Sequence, residues 1–444
     1  MGKTMVAEAI FNKYHPNFDA KSFIQNMRER KLVDLQEQLL FDIFKPTKRS
    51  CGYCGGLPLA LKVLGSSLYK RSTIEWRNAL DKWKTLPPKE IHEKLKLSYD
   101  GLPDNYMRDA FLDISCFFIG MDMNYVMQIL DRRCFSPVIG LRVLLEESLL
   151  TVGEDNKLMM HDLVRDMGRE IVRAQSSNIT GERSRLWHHE DVKDVLRNKS
   201  GTEAIEGLTL DLQESDEPSF STEAFRRMRR LRLLKLNYAQ LTGSYEHLSK
   251  ELRWLCWHGF PLEVIPEDFD QENLVAIDLS YSKFIRVWED SHVVQYNHNL
   301  NQFINPFLQF LWELKSLDLG HSVCLKKLPD FSRLPNLEEL ILRGCKSLLW
   351  DHLSMMRRLD ELELKLLDLG YCNLTEDNVV RELCFLRSLK ILRLDGNGFN
   401  SLPLLEDSSE LEELTLNDCK NLRRISDLPM TLKFLNANYC TALH

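Results

Sequence analysis

From about Ile205 to the last residues one apolar phrase, L-x-x-L-x-L, keeps returning, and it limits what this chain can fold into more than any other feature. It stands as Leu231, Leu234, Leu236; as Leu274, Ile277, Leu279; as Leu314, Leu317, Leu319; and as Leu337, Leu340, Leu342. Further copies are Leu364, Leu367, Leu369; Leu389, Leu392, Leu394; Leu411, Leu414, Leu416; and a weakened Leu432, Leu435, Ala437, with Ile205, Leu208, Leu210 and Leu252, Leu255, Trp257 upstream. Successive third positions lie 26, 21, 22, 40, 23, 27, 25, 22 and 21 residues apart, and all but the 40 sit near the period of a leucine-rich repeat. One such unit cannot bury its own apolar face; a stack of them can.

That architecture assigns roles within each copy. L-x-L is a short parallel strand whose leucines enter the core, and the residue between them faces the concave surface. Asn or Cys three positions after the last leucine serves turn groups that need hydrogen bonds, and Cys345, Cys372, Asn397, Cys419 and Cys440 stand there. The in-between positions are Cys256, Asp278, Asp318, Ile341, Asp368, Arg393, Thr415 and Asn436, flanked by Trp254, His258, Glu339, Arg343 and Phe434. This mixture of aspartates and terminal aromatics suits a protein partner better than nucleic acid; the competing reading is that the face contacts the chain's own N-terminal half. The 40-residue interval carries Val293 to Phe310, which reads as a degenerate repeat or a protruding loop.

A net charge of -7 gives no general attraction to nucleic acid or anionic membranes, and no run approaches a membrane helix. Eleven cysteines behind an N-terminus without an apolar signal stretch suggest a reducing interior, cytoplasmic or nuclear. Val6 stands where a myristoylation signal needs Ser or Thr.

Gly2-Lys3-Thr4 followed by a helical run looks like the tail of a phosphate-binding loop, where the lysine neutralises phosphate and the hydroxyl meets magnesium. No apolar strand ending in a metal-binding acid follows it; Leu39-Leu40-Phe41-Asp42 lies in a helix-period run, so the nucleotide core reads as incomplete and catalysis is not expected. Cys51-Gly52-Tyr53-Cys54 is a lone C-x-x-C without a second pair. Gly55 to Gly65 reads as a glycine-led turn into a buried helix, and Pro87-Pro88 marks a subdomain boundary.

Helix spacing then places Met107, Phe111, Ile114 and Phe118 on one face, Val126, Ile129 and Leu130 on a second, and Leu141, Leu144 and Leu145 on a third. A hairpin is expected over Ser148–Met160, turning at Gly153 to Asn156. Three helices and a hairpin are the order of a winged helix, a fold that often binds DNA, but Val138 to Glu147 carries one arginine against two glutamates. In Met160-His161-Asp162 the two polar residues point about 100° apart with no nucleophile beside them; Asp162 is expected to cap the following helix, with His161 facing solvent or packing locally.

Gly2-Lys3-Thr4, Phe18 to Glu29, Gly56-Leu57-Pro58-Leu59, Phe111-Leu112-Asp113-Ile114-Ser115-Cys116-Phe117-Phe118, Met160-His161-Asp162 and the repeats occur in this order, and the whole resembles plant nucleotide-binding leucine-rich-repeat (NB-ARC) disease resistance proteins. The Phe111–Phe118 stretch and Met167-Gly168-Arg169-Glu170-Ile171-Val172 resemble the subclass with a Toll/interleukin-1 receptor domain. The resemblance implies that Gly2, Lys3 and Thr4 hold phosphate and magnesium, that Pro58 lies against adenine and that His161 contacts ADP. It also implies a truncated member, lacking the signalling domain and the acidic strand expected between about Lys45 and Cys51.

The fold expected is thus α/β: a helical and winged-helix remnant of a nucleotide-binding module followed by a leucine-rich-repeat solenoid. Residues 1–50 are read as the P-loop remnant, 51–87 as a helical subdomain, 88–200 as the winged helix with its linker, and 201–444 as about ten repeats. Function follows as recognition of a pathogen effector or guarded host protein, with an incomplete ADP/ATP switch and with oligomerisation reserved for intact family members; the alternative is an interaction module or decoy that binds no nucleotide.

Overall fold

The computed structural model describes residues 89–131, 137–153, 155–213, 219–288, 311–328, 331, 334–349, 362–375, 383, 386–402, 405, 408–425 and 428–443, together with Glu75 and Asn78. The phosphate-loop residues Gly2, Lys3 and Thr4, the helix led by Pro58, and Cys51 and Cys54 lie outside these. Two compact units emerge, one holding 1–123 and 138–171 and the other 124–137 and 172–444. No described helix is long and apolar enough to cross a membrane.

The described helices are α1 (Lys89–Asp100), α2 (Asn105–Asp113), α3 (Met123–Leu130), α4 (Pro137–Glu146), α5 (Asp162–Gln175) and α6 (His189–Asn198). In the first unit, Asp104 caps α2 by accepting from the Met107 N–H at 2.8 Å, and α2 runs on into a π-helical turn at Ile114–Phe118. The apolar spacing foreseen for this stretch is realised: Met107, Phe111, Ile114 and Phe118 are all buried. The hairpin pairs β1 (Thr151–Val152) with β2 (Leu158–Met159) antiparallel. Residues 120–122 add a third edge: the Gly120 N–H donates to the Leu158 carbonyl at 2.7 Å, and the Leu158 N–H to that of Met121 at 2.8 Å.

Helix α5 closes on α2 at Gly168. A Cβ there would lie 2.6 Å from Ser115 Oγ and 3.0 Å from Phe111 Cε1, so only glycine admits this approach. Beside it Arg169 Nε donates to the Ser115 carbonyl at 3.2 Å.

In the second unit an eleven-stranded parallel sheet carries the solenoid. Its strands are β3 (Arg185–Leu186), β4 (Gly207–Asp211), β6 (Leu233–Asn237), β8 (Trp254–Cys256), β9 (Ala276–Asp278), β10 (Ser316–Asp318), β11 (Glu339–Ile341), β12 (Leu366–Asp368), β13 (Ile391–Arg393), β14 (Glu413–Thr415) and β15 (Phe434–Asn436), paired in sequence order. A small parallel pair, β5 (Ser219–Ser221) with β7 (Gln240–Thr242), lies apart from this ladder. The phrase residues of the first nine copies lie in one continuous core running from Leu186 to Leu422, whereas in the weakened last copy Leu432 and Ala437 only pack against it and Leu435 is exposed. Helix α6 seals its first end by placing Val192, Val195 and Leu196 in that core. Residues 172–200, which sequence alone groups with the winged helix as a linker, thus include the solenoid's first strand and its lid.

The long interval is settled by register. Ser316, Leu317 and Asp318 pair directly with Ala276, Ile277 and Asp278, so no rung stands between β9 and β10. The interval therefore adds no repeat to the ladder; residues 289–310 themselves lie outside the described set.

Candidate recognition face and its polar ladders

Each turn of the solenoid leaves backbone groups in the core that water cannot reach. Residues three places after the last leucine satisfy them. The thiols of Cys345, Cys372, Cys419 and Cys440 donate to the carbonyls of Leu319, Leu342, Leu394 and Leu416 at 3.2, 3.0, 3.3 and 3.0 Å. Asn397 does more: Oδ1 accepts from the Cys372 and Leu374 N–H groups, and Nδ2 donates to the carbonyls of Leu369, Leu394 and Asp395. Burial pushes the Cys372 thiol up to about 12 and the Cys419 thiol up to about 11, which keeps them as neutral donors. Sequence reasoning missed that serine fills the same place earlier: Ser282 Oγ donates to the Leu279 carbonyl at 2.6 Å, and Ser322 Oγ accepts from the Ser282 N–H at 3.2 Å.

A second row also escaped the sequence reading. In every copy of the phrase after the first, the position two residues past the last apolar residue has positive φ: Tyr238, Gly259, Tyr281, His321, Gly344, Tyr371, Gly396, Asp418 and Tyr439. The glycines lie under their neighbours' rings; a Cβ on Gly259 would meet Tyr238 at 2.5 Å, and one on Gly396 would meet Tyr371 at 2.2 Å. Tyr281 and His321 stack with centroids 4.8 Å apart. The available signal was the recurrence of Tyr, Gly, His and Asp at one offset.

The concave face divides into two polar clusters. Toward β4, Lys235 Nζ donates to Asp211 Oδ2 at 2.8 Å, and Asn237 Nδ2 to Asp211 Oδ1 at 2.9 Å. Next to them His258 Nε2 lies 2.8 Å from Asp278 Oδ2. Burial works against the charged imidazole, yet the Asp278 carboxylate holds the His258 pKa above its ordinary value. Toward the other end Arg343 Nη1 donates to Asp395 Oδ2 at 3.0 Å, lies 3.6 Å from Asp368 Oδ1, and spreads its guanidinium 4.8 Å from the Tyr371 ring centre. Tyr371 in turn donates its hydroxyl to Asp418 at 2.9 Å.

The aspartates between leucines also brace their own turns. Asp278, Asp318 and Asp368 accept from the N–H groups of Ser280, Gly320 and Gly370 at 3.1, 2.7 and 2.9 Å. Asp318 carries a cost for its place: burial, then the Asp278 charge, raise its pKa to about 7. Because the folded value exceeds the unfolded one, its contribution to stability is complete below about pH 4 and is lost as pH rises toward 7. Asp318→Asn keeps an acceptor for Gly320 and is expected to stabilise the protein by about 2 kcal/mol at pH 8 and by almost nothing at pH 4, read from urea titrations in metal-free buffer.

Of the other concave-face candidates, Glu339, Ile341, Arg343, Arg393 and Asn436 are half-buried, Phe434 is exposed, and Asp368 and Thr415 are buried. Trp254 requires correction as a partner contact. It is 1% exposed, and its indole Nε1 donates to the Tyr125 hydroxyl at 3.0 Å. The Arg253 guanidinium donates to the carbonyls of Ile129 and Asp131 alongside. Residues 124–131 thus cover Trp254 and Arg253 within the second unit.

In the first unit His161 corrects another expectation. The cap of α5 is His161, whose Nδ1 accepts from the Leu163 N–H at 3.0 Å, while Asp162 is the first helical residue and pairs with Arg165 at 2.7 Å. A side-chain acceptor two residues ahead of an otherwise unpaired N–H does the work of an N-cap, and imidazole supplies it here in place of a carboxylate.

The described residues thus place a winged-helix unit ahead of a leucine-rich-repeat solenoid on one chain. Residues 105–176 match the winged-helix domain of Roq1-like disease resistance proteins. Disease resistance protein RPP2B of Arabidopsis thaliana is 30% identical over 94% of this chain and 36% of its own length, and RPP2A of the same plant is 32% identical over 93% and 33%. TMV resistance protein N of Nicotiana glutinosa is 35% identical over 68% of this chain and 25% of its own length. The chain is thus similar over most of its own length to plant disease resistance proteins, and it spans about a third or less of the length of these curated relatives.

Proposed function

We propose that this chain acts in plant defence by recognising a protein, a pathogen effector or a guarded host protein, through the half-buried charged residues of the concave face. The observation that carries the reading is the strip from Arg343 to Arg393 and Glu413. Arg393 Nη2 lies 3.7 Å from Glu413 Oε1 with about a third of each side chain exposed, so the charges are held in place and still reachable. Fixed, partly solvated ion pairs set specificity and encounter rate in protein recognition. Recognition needs no catalysis, and the chain is proposed to work as a receptor segment in the cytoplasm or nucleus.

For an ADP/ATP switch with magnesium, His161 is the one residue of the inferred nucleotide set whose setting is described. With Nδ1 accepting from Leu163, its ring carries the proton on Nε2, the tautomer that donates to an acceptor such as a phosphate oxygen. The alternative of an interaction module or decoy keeps the same face and drops the nucleotide.

The test expresses the full chain with a panel of candidate effectors and host proteins. A partner that forms a stoichiometric complex should lose at least tenfold in affinity on Arg393→Glu, with the melting temperature unchanged. Unchanged affinity would remove the concave face from the proposal. Calorimetry with ADP then separates the two readings: heat of binding favours the switch, and its absence with partner binding intact favours the decoy.

A further inference from the structure

We infer that Cys256, His258 and Asp278 form a binding site for a zinc-type divalent cation on the concave face of the solenoid. Parallel register places Cys256 of β8 directly beside Asp278 of β9, one strand spacing away. His258 follows Cys256 by two residues and so returns to the same side of the sheet. Three ligand types favoured by zinc therefore converge from two rungs, with no two supplied by adjacent residues.

The distances support this. Cys256 Sγ lies 3.5 Å from His258 Nε2 and 3.8 Å from Asp278 Oδ2, and the two latter atoms lie 2.8 Å apart. Around a tetrahedral zinc with bonds of about 2.0–2.3 Å, such ligand atoms sit roughly 3.3–3.7 Å apart. Two edges thus already lie close to a zinc site, and the third opens by about 0.5 Å once the His–Asp hydrogen bond gives way to the cation. These are also the only three His, Cys, Asp or Glu residues among those described that bring potential ligand atoms within 4.8 Å of one another.

The supporting shell is present. Asn237 Oδ1 accepts from the His258 backbone N–H at 3.1 Å, which fixes the main chain there, and Asp278 Oδ1 accepts from the Ser280 backbone N–H at 3.1 Å, which orients the Asp278 carboxylate before any ion arrives. His258 and Asp278 keep about a quarter of their side-chain surface exposed, which leaves an approach from the concave side, while Cys256 is buried behind them. Three protein ligands leave the fourth position to water. Binding releases the Cys256 thiol proton to solvent, the proton that His258 Nε2 shares with Asp278 moves to Nδ1 or to solvent, and a metal–thiolate bond forms; no electron is transferred.

The test uses the full chain with Cys51, Cys54, Cys134, Cys324 and Cys384 changed to serine, so that these five thiols cannot report. After chelation and dialysis, Co2+ is titrated and thiolate-to-cobalt charge-transfer absorption is followed, with Zn2+ used in competition. One Co2+ per chain with that absorption is expected. Adding Cys256→Ser should abolish the band, and His258→Ala or Asp278→Asn should each weaken binding at least tenfold. Circular dichroism checks the fold of each variant, and Zn2+ should raise the melting temperature of the parent but not that of Cys256→Ser. No Co2+ bound at micromolar concentration, cobalt bound without the band, or a band that survives Cys256→Ser would overturn the site.

Discussion

Replacing Asn397 with alanine is expected to cost the solenoid unit about 4 kcal/mol or more, the larger of two effects that stand out in this structure. Asn397 is 3% exposed and makes five hydrogen bonds across two rungs, with both ends of its amide engaged. Truncation strands two N–H groups and up to three carbonyls in a core that admits no water. Each buried orphan costs on the order of 1–3 kcal/mol, and partial relaxation keeps the sum below the full count. Asn397→Cys should restore part of the loss, because cysteine at this offset already donates to one carbonyl in the repeats on either side. Urea unfolding followed by far-ultraviolet circular dichroism would order the three proteins as parent, Cys, Ala. Equal stability of the alanine and parent proteins would show that the polar ladder contributes nothing net.

Trp257→Ala is expected to cost about 3–5 kcal/mol and to lower the melting temperature of this unit by roughly 10 °C. Trp257 takes the place of the third leucine in its repeat and is wholly buried. Its ring meets Phe260 edge-on at 4.9 Å, and Tyr245 lies 6.3 Å away, so the removed indole leaves a large void among rigid neighbours. Its Nε1 also donates to the Ala239 carbonyl at 3.0 Å, an acceptor then left without that bond. Trp257→Phe fills most of the space and should recover more than half of the loss. Differential scanning calorimetry decides this: a drop of under 2 °C for Trp257→Ala would mean that the site collapses to fill its cavity.

Both residues were visible before the structure, for different reasons. Trp257 fell on an apolar position of the phrase, and Asn397 on the offset where the fold needs a polar group. Periodicity reports which residues face the core because core burial is itself periodic. It does not report what lies across a strand, since that depends on register. Cys256 and Asp278 are 22 residues apart and become neighbours only because β8 pairs with β9 without slip. The same limit hid the cover over Trp254, which comes from residues more than a hundred positions earlier. His161 was misread for a local reason: Asp outranks His as a cap in ordinary helices, and only the observed start of α5 shows which side chain reaches the Leu163 N–H. The left-handed row was legible in principle, but tyrosine at positive φ is uncommon enough that composition alone does not suggest it.

The ladder of buried thiols has a consequence for how this solenoid can be watched. Cys345, Cys372 and Cys419 are shielded from solvent, and burial raises their pKa, so a maleimide or iodoacetamide can attack them only during an opening that frees the rung. Each rung thus carries its own clock. Mass spectrometry of labelled peptides over time would give an opening rate for each of three separate turns of one coil, and so show whether the coil breathes turn by turn or as one body.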